Sequence, residues 1–170
     1  MPKDQKYISR TDAIIKVASF CAYQERCHNE VKAKLADLGF YGEEANEIML
    51  QMIEQNYLNE ERFAKAYAGG KFRVKKWGRL KIKRELKARA ISDYCIQLGL
   101  KEIDGDLYLL TLQNLAQHKM ESLKTKNPFE AKHKVYLYLA SRGYESDLIA
   151  DCLNGLLRLK SNEIEERTKL

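Results

Sequence analysis

A ten-residue pattern that recurs three times constrains the fold of this chain more than any other feature. It reads VKAKLADLGF from Val31, IKRELKARAI from Ile82 and VYLYLASRGY from Val135. Each copy has a β-branched residue, a Leu four positions later, Gly or Ala after four more, and then a large apolar residue. The Leu anchors are 51 and 53 residues apart: Leu35, Leu86 and Leu139. Three copies at nearly equal spacing predict an internal structural repeat.

Helical periodicity surrounds the first copy. Ser9 or Thr11 can cap a first helix, a second helix runs from about Asn29 to Gly39, and a third starts near Gly42. The predicted inward-facing residues of the first and third helices are Ile14, Val17, Ala18, Cys21, Ala45, Ile48, Met49, Met52 and Ile53. Around the second copy Asn59 caps a helix with the inner face Phe63, Ala66, Tyr67 and Gly70.

The other helix signals are glycines and a proline. Gly69-Gly70 lies inside a predicted helix, where each Gly costs about 1 kcal/mol relative to Ala, so the pair predicts either close packing of a neighbour or a bend. In the third unit Asn127-Pro128 marks a helix start, and Gly143 marks an end.

The fold predicted from these signals is all-α, with three tandem three-helix repeats in an elongated, curved arrangement. Only 9 Gly and 2 Pro interrupt 170 residues, and units of about 50 residues need neighbours against which to bury surface. The predicted divisions are a flexible arm (1–10), repeat 1 (11–57), a basic repeat 2 (58–104), repeat 3 (105–159) and a charged tail (160–170).

Positive charge is concentrated in the second repeat. The segment from Lys71 to Arg89 holds ten of the 30 basic residues but one of the 24 acidic residues, Glu85. The rest of the chain is slightly acidic, with 20 basic and 23 acidic residues, so the net charge of +6 is a local feature of this segment. A helix face with Lys and Arg but almost no acids indicates binding to phosphates or to an acidic partner. The predicted binding residues are Lys71, Arg73, Lys75, Lys76, Trp77, Arg79, Lys83, Arg84 and Lys87.

Trp77 is the only Trp in the chain and lies at the predicted turn between two helices. It can stack on bases of a single strand, although a lone Trp more often packs between helices.

The sequence carries no enzyme signature. The three His lie far apart, and no Gly-rich phosphate loop, HExxH or paired catalytic carboxylates occur. The four Cys lack zinc spacing and are expected to be reduced and mostly buried. No apolar run approaches the roughly 20 residues of a membrane span, and no signal-peptide pattern precedes the first repeat. We therefore expect a cytoplasmic, non-enzymatic protein without cofactor or metal.

Part of the basic repeat resembles a known family. The segment YLNEERFAKAY from Tyr57, then Trp77-Gly78 and the IKREL run from Ile82, is similar to the signature of the RecX family, bacterial regulators of the recombinase RecA. The resemblance covers about 35 residues closely. It implies a monomer of three three-helix repeats that binds the RecA filament and single- and double-stranded DNA. It also implies inhibition of RecA ATPase and recombinase activity, and a role in DNA repair, recombination and the SOS response.

Three positions depart from the family pattern. Lys76 stands where the family usually has Gly, Arg89-Ala90-Ile91 replaces Lys-Gly-Ile, and Asn59 replaces a common Asp. The first change adds a charge and restricts the conformations open to the turn.

Two other functions fit the same residues. A helix-turn-helix transcription regulator would use residues 78–90 as its recognition helix, although few short side chains for reading base edges accompany the Lys and Arg. A helical-repeat scaffold would bind an acidic protein and no DNA.

Overall fold

The computed structural model describes residues 8–125 and 127–168, with side chains described up to 158. All regular structure in these residues is helical: α1 Arg10–Tyr23, α2 His28–Asp37, α3 Gly42–Glu54, α4 Glu60–Lys75, α5 Arg79–Ala88, α6 Asp93–Lys101, α7 Gly105–Ser122, α8 Pro128–Ser141 and α9 Ser146–Thr168. The prediction of an all-α chain built from three-helix units is confirmed. The predicted arm falls mostly outside the described residues, whereas the helix of α9 continues through residues 160–168 of the predicted tail.

The described chain forms two compact units. The first comprises residues 8–67 and 86–99, and the second comprises residues 68–85 and 100–168. Helices α4 and α5 each contribute to both units, so the units do not coincide with the repeat boundaries.

In the first unit, α1 to α3 enclose a common apolar core. Ser9 caps α1, its hydroxyl accepting the amide of Asp12 at 3.1 Å, as its residue type predicts. The buried residues recur every three to four positions along each helix: Ala13, Val17, Cys21, Val31, Leu35, Phe40, Ala45, Ile48 and Met52. The predicted inward position of Ile53 is wrong, because this side chain is 43% exposed. It lies past the edge of the stripe that Ala45, Ile48 and Met52 define.

The first unit also contains the start of α4 and all but the end of α6. Asn59 caps α4 by accepting the amide of Arg62 at 2.8 Å, as predicted. Phe63 is buried as predicted, but Ala66 is exposed. The buried face of α4 runs through Phe63, Ala64 and Ala68. A Cβ added to Gly99 would come within 2.7 Å of the Ala64 carbonyl oxygen.

In the second unit, α7, α8 and α9 form a core around two tyrosines. Tyr108 and Tyr144 are almost fully buried, with ring centroids 5.0 Å apart. The other buried residues of these helices include Leu112, Ala116, Val135, Leu139, Ile149 and Leu153. Asn127 caps α8 by accepting the amides of Phe129 and Glu130, which confirms the predicted start at Pro128.

The recurring sequence pattern corresponds to one recurring helix end. The Leu anchors are all buried, and the residue four positions after each has a left-handed backbone: φ is +91° at Gly39, +58° at Ala90 and +90° at Gly143. The next residue donates its amide to the carbonyl of the Leu anchor at 2.9, 3.2 and 3.3 Å, respectively. This geometry is a Schellman closure, and the apolar residue that completes each copy is buried beside it. The repeat therefore encodes how the middle helix of each unit stops.

The closure after α5 has Ala90, not glycine, at its left-handed position. A left-handed backbone costs an L-residue about 1–2 kcal/mol. Glycine avoids this cost but loses more conformational entropy on folding, which offsets part of the gain. Ala90→Gly is therefore expected to stabilise the chain by about 0.5–1 kcal/mol. Urea unfolding measures this change. As a control, Ala66→Gly in the middle of α4 should cost about 1 kcal/mol. A destabilising effect of both substitutions would show that Ala90 is not strained.

All four Cys are free thiols in the structure, as predicted. Cys21, Cys27 and Cys95 are buried, and Cys152 is half-buried. Burial raises the pKa of each thiol above its ordinary value, which keeps these thiols protonated near neutral pH.

Candidate nucleic-acid interface

The nine predicted binding residues, eight Lys or Arg and Trp77, lie on the end of α4, in the turn after it and along α5. Eight of the nine belong to the second unit, and Lys87 belongs to the first. We call the eight the basic strip. Its exposed members are Arg73, Lys75, Lys76 and Arg84, and its half-buried members are Lys71, Trp77, Arg79 and Lys83. Exposed cations in one turn and two helix ends give the second unit a local positive surface.

The turn between α4 and α5 is held by the turn that follows α8. Arg142 donates from its guanidinium to the Lys75 carbonyl, and the Tyr144 hydroxyl donates to the Lys76 carbonyl at 3.1 Å. These carbonyls belong to the C-terminal end of α4, where no intrahelical donor is available. The turn between α4 and α5 is therefore held in place by residues of the turn after α8.

The same turn also satisfies the first amides of α5. The Gly78 amide donates to the Arg142 carbonyl at 2.8 Å, and the Leu80 amide donates to the Gly143 carbonyl at 3.0 Å. Two glycines make this approach possible, because a Cβ on Gly78 would lie 2.2 Å from the Gly143 oxygen. A Cβ on Gly143 would lie equally close to the Lys81 side chain.

Tyr108 completes the support of the strip from beneath. Its hydroxyl accepts the Arg79 amide at 3.0 Å and donates to a Glu145 carboxylate oxygen at 2.6 Å. Its ring lies against Phe72, and the Arg79 guanidinium carbon lies 4.1 Å from the ring centroid. Burial, reinforced by the bond to Glu145, raises the Tyr108 pKa well above its ordinary value. Burial also raises the pKa of Tyr144 to about 12.

Removing the Tyr108 hydroxyl should weaken the fold measurably. In Tyr108→Phe the Arg79 amide and the Glu145 carboxylate lose a buried partner, at a cost of about 1–3 kcal/mol. Urea unfolding measures the loss. Tyr94→Phe is the matched control, because Tyr94 is 71% exposed and removing its hydroxyl leaves no buried group without a partner. Equal stability of the two variants would contradict this role for Tyr108.

Trp77 packs with lysines of the same unit. The Lys71 and Lys81 ammonium groups lie 5.2 and 4.6 Å from its ring centroid. Such cation–π contacts hold a cation at a fixed position. Lys81, which was outside the predicted set, thus lies next to the strip through its contact with Trp77, and Arg142 adds a further cation beside the turn. Nothing in the sequence around Tyr108 or Arg142 indicated that they would support the strip.

The glycine pair in α4 fits neither sequence prediction. The helix is continuous through Gly69 and Gly70. A Cβ on Gly70 would meet nothing within 4 Å, whereas one on Gly69 would come within 2.7 Å of the guanidinium of Arg73. Gly69 therefore makes room for a side chain of its own helix.

Two further members of the predicted set have particular environments. Lys76 has a left-handed backbone with φ of +54°. Lys76 and Ala90 are the two positions where this sequence departs from a glycine of the family pattern, and both have the backbone conformation that favours glycine. Lys87, in the first unit, lies 3.3 Å from the Asp93 carboxylate. Sequence reasoning along α5 alone missed this acid, since it comes from the start of α6.

An all-α chain whose middle helices share one recurring end defines a tandem helical-repeat protein. Models of the second and third three-helix domains of RecX match residues 59–100 and 106–153. The chain belongs to the RecX family. None of the described helices is long and apolar enough to span a membrane.

Individual relatives agree with this assignment. Regulatory protein RecX of Prosthecochloris aestuarii is 28% identical over 145 residues, which cover 85% of this chain and 93% of the relative. That of Clostridium perfringens (strain 13) is 31% identical over 144 residues, 83% of this chain. The chain spans 65% of the C. perfringens relative and 57% of that from Bacillus cereus.

Solved structures share the fold. A crystal structure of RecX from Lactobacillus salivarius superposes with a TM-score of 0.78 at 20% identity, covering 86% of this chain and 96% of that one. A second RecX crystal structure gives 0.77 at 17% identity, covering 89% and 74%.

Proposed function

We propose that this chain is a non-enzymatic regulator that binds the RecA–DNA filament and DNA and inhibits RecA ATPase and recombinase activity. In this proposal it acts as a cytoplasmic monomer in DNA repair, recombination and the SOS response, with no cofactor. The observation that carries the proposal is the basic strip, whose exposed cations lie at the end of α4, on α5 and in the turn between these helices. Hydrogen bonds from Arg142 and Tyr144 hold that turn.

Fixing the turn matters for binding a polyanion. Long basic side chains lose conformational freedom when they bind phosphate, and a rigid backbone avoids an additional ordering cost. Counterion release from the nucleic acid then favours association in a salt-dependent manner. Lys81 and Arg142 increase the positive charge around the strip.

The packing of α5 disfavours the transcription-regulator alternative. A recognition helix places its N-terminal residues against base edges in the major groove. Here the first amides of α5 are bonded to Arg142, Tyr108 and Gly143, and Gly78 is buried. The backbone amides at the N-terminal end of α5 are therefore already bonded within the second unit.

The proposed function is tested by titrating the chain into RecA hydrolysing ATP on single-stranded DNA. We expect the rate of ATP hydrolysis to fall in a saturable manner. Bovine serum albumin at equal concentration controls for nonspecific effects. An unchanged rate at saturating concentrations of this chain would refute the inhibition.

A further inference from the structure

A small groove between α8 and α9 lies outside the basic strip. It encloses about 250 Å³ and is lined by Phe129, Lys132, His133, Tyr136, Ala150 and Leu153. Four of these residues follow a helical spacing of three and four along α8, so they share one face. The buried residues of α8, among them Ala131 and Val135, lie on another face.

The groove is lined by two aromatic rings and a lysine ammonium group. Phe129 is 84% exposed although it is large and apolar, and it faces the groove together with the second aromatic ring, Tyr136. Lys132 donates to Asn154 at 2.9 Å, which holds its ammonium between α8 and α9. None of the lining side chains is acidic.

We propose that this groove binds one unstacked base of a single-stranded nucleic acid. Aromatic faces stack on any base, and a nearby cation attracts the attached phosphate. A volume below the usual range for drug-sized ligands suits a single flat ring system. The proposal rests on the proposed function, because it takes binding of a single strand for granted.

The test compares two ligands that differ only in bases. Fluorescence anisotropy measures binding of labelled 20-nucleotide oligothymidylate and of an abasic strand of the same length and charge. We expect wild type to prefer the strand with bases, and Phe129→Ala to lose about tenfold affinity for it. Affinity for the abasic strand should stay unchanged, because the strip is intact. Leu137→Ala, at another exposed position on α8, is the control and should keep the preference.

Several outcomes would overturn the base-binding proposal. Equal losses of Phe129→Ala on both strands, or no loss on either, would exclude stacking at this groove. If Phe129→Ala weakened RecA inhibition but kept the base preference, the groove would take a protein side chain instead. If wild type bound the two strands equally, base binding at the groove would be refuted but DNA binding by the chain would not. If wild type bound neither strand, both would be refuted.

Discussion

Gly78→Ala is expected to destabilise the chain by about 3 kcal/mol. The added Cβ would lie 2.2 Å from the Gly143 oxygen and 2.4 Å from the Tyr144 nitrogen. Both are backbone atoms, so no side-chain rotation relieves the overlap. The two turns must separate, and the hydrogen bonds between them lengthen or break. Urea unfolding followed by circular dichroism measures the loss.

The matched control is the same substitution at a glycine with open space. Gly70 lies inside α4, and an added Cβ would meet nothing within 4 Å. Gly70→Ala is therefore expected to stabilise the chain by about 1 kcal/mol through helix propensity alone. Opposite signs at the two positions would support the close approach of the turns. Wild-type stability of Gly78→Ala would contradict it.

Charge reversal of the strip is expected to have the second large effect, on binding and not on stability. In the triple variant Lys75→Glu, Lys83→Glu and Arg84→Glu, three cations of the strip become anions. We expect affinity for single-stranded DNA to fall at least about tenfold at physiological salt. The slope of log K against log salt should decrease in magnitude by about 2, because each phosphate contact contributes about 0.7.

The choice of residues follows from the contacts in the structure. Arg79 stacks on Tyr108, so reversing it would disturb the fold as well. Lys87 pairs with Asp93 and belongs to the first unit, outside the strip. The control variant reverses three exposed lysines outside the strip and has the same net charge: Lys16, Lys32 and Lys101. Equal losses of affinity in the two triple variants would show that net charge, and not the strip, determines binding.

The repeat predicted much of the fold, because its residues are the ones that stop a helix. A Leu anchor, a Gly or Ala and a large apolar residue form a Schellman closure in all three copies, and that closure depends on local sequence. Helix caps at Ser9, Asn59 and Asn127 were predictable for the same reason. The inner face of α4 was not, because the close approach of Gly99 to Ala64 selects it over the face through Ala66.

The candidate site shows the same division between local and distant information. A run of ten basic residues reveals where cations are concentrated, but not what fixes them. The groups that hold the turn are 29 to 68 residues away in the sequence: Tyr108, Arg142 and Tyr144. No local pattern marks a tyrosine that caps another helix. The pairing of Lys87 with Asp93 was not predicted either, because Asp93 belongs to the next helix, α6.

Sedimentation of RecA filaments tests most directly whether the strip binds the filament. Filaments are assembled on single-stranded DNA with a non-hydrolysable ATP analogue and pelleted with wild type or either triple variant. We expect wild type and the control variant to appear in the pellet, and the strip variant to remain in the supernatant while unfolding at the same temperature as wild type. Pelleting of the strip variant to the same extent as wild type would contradict the assignment of the strip.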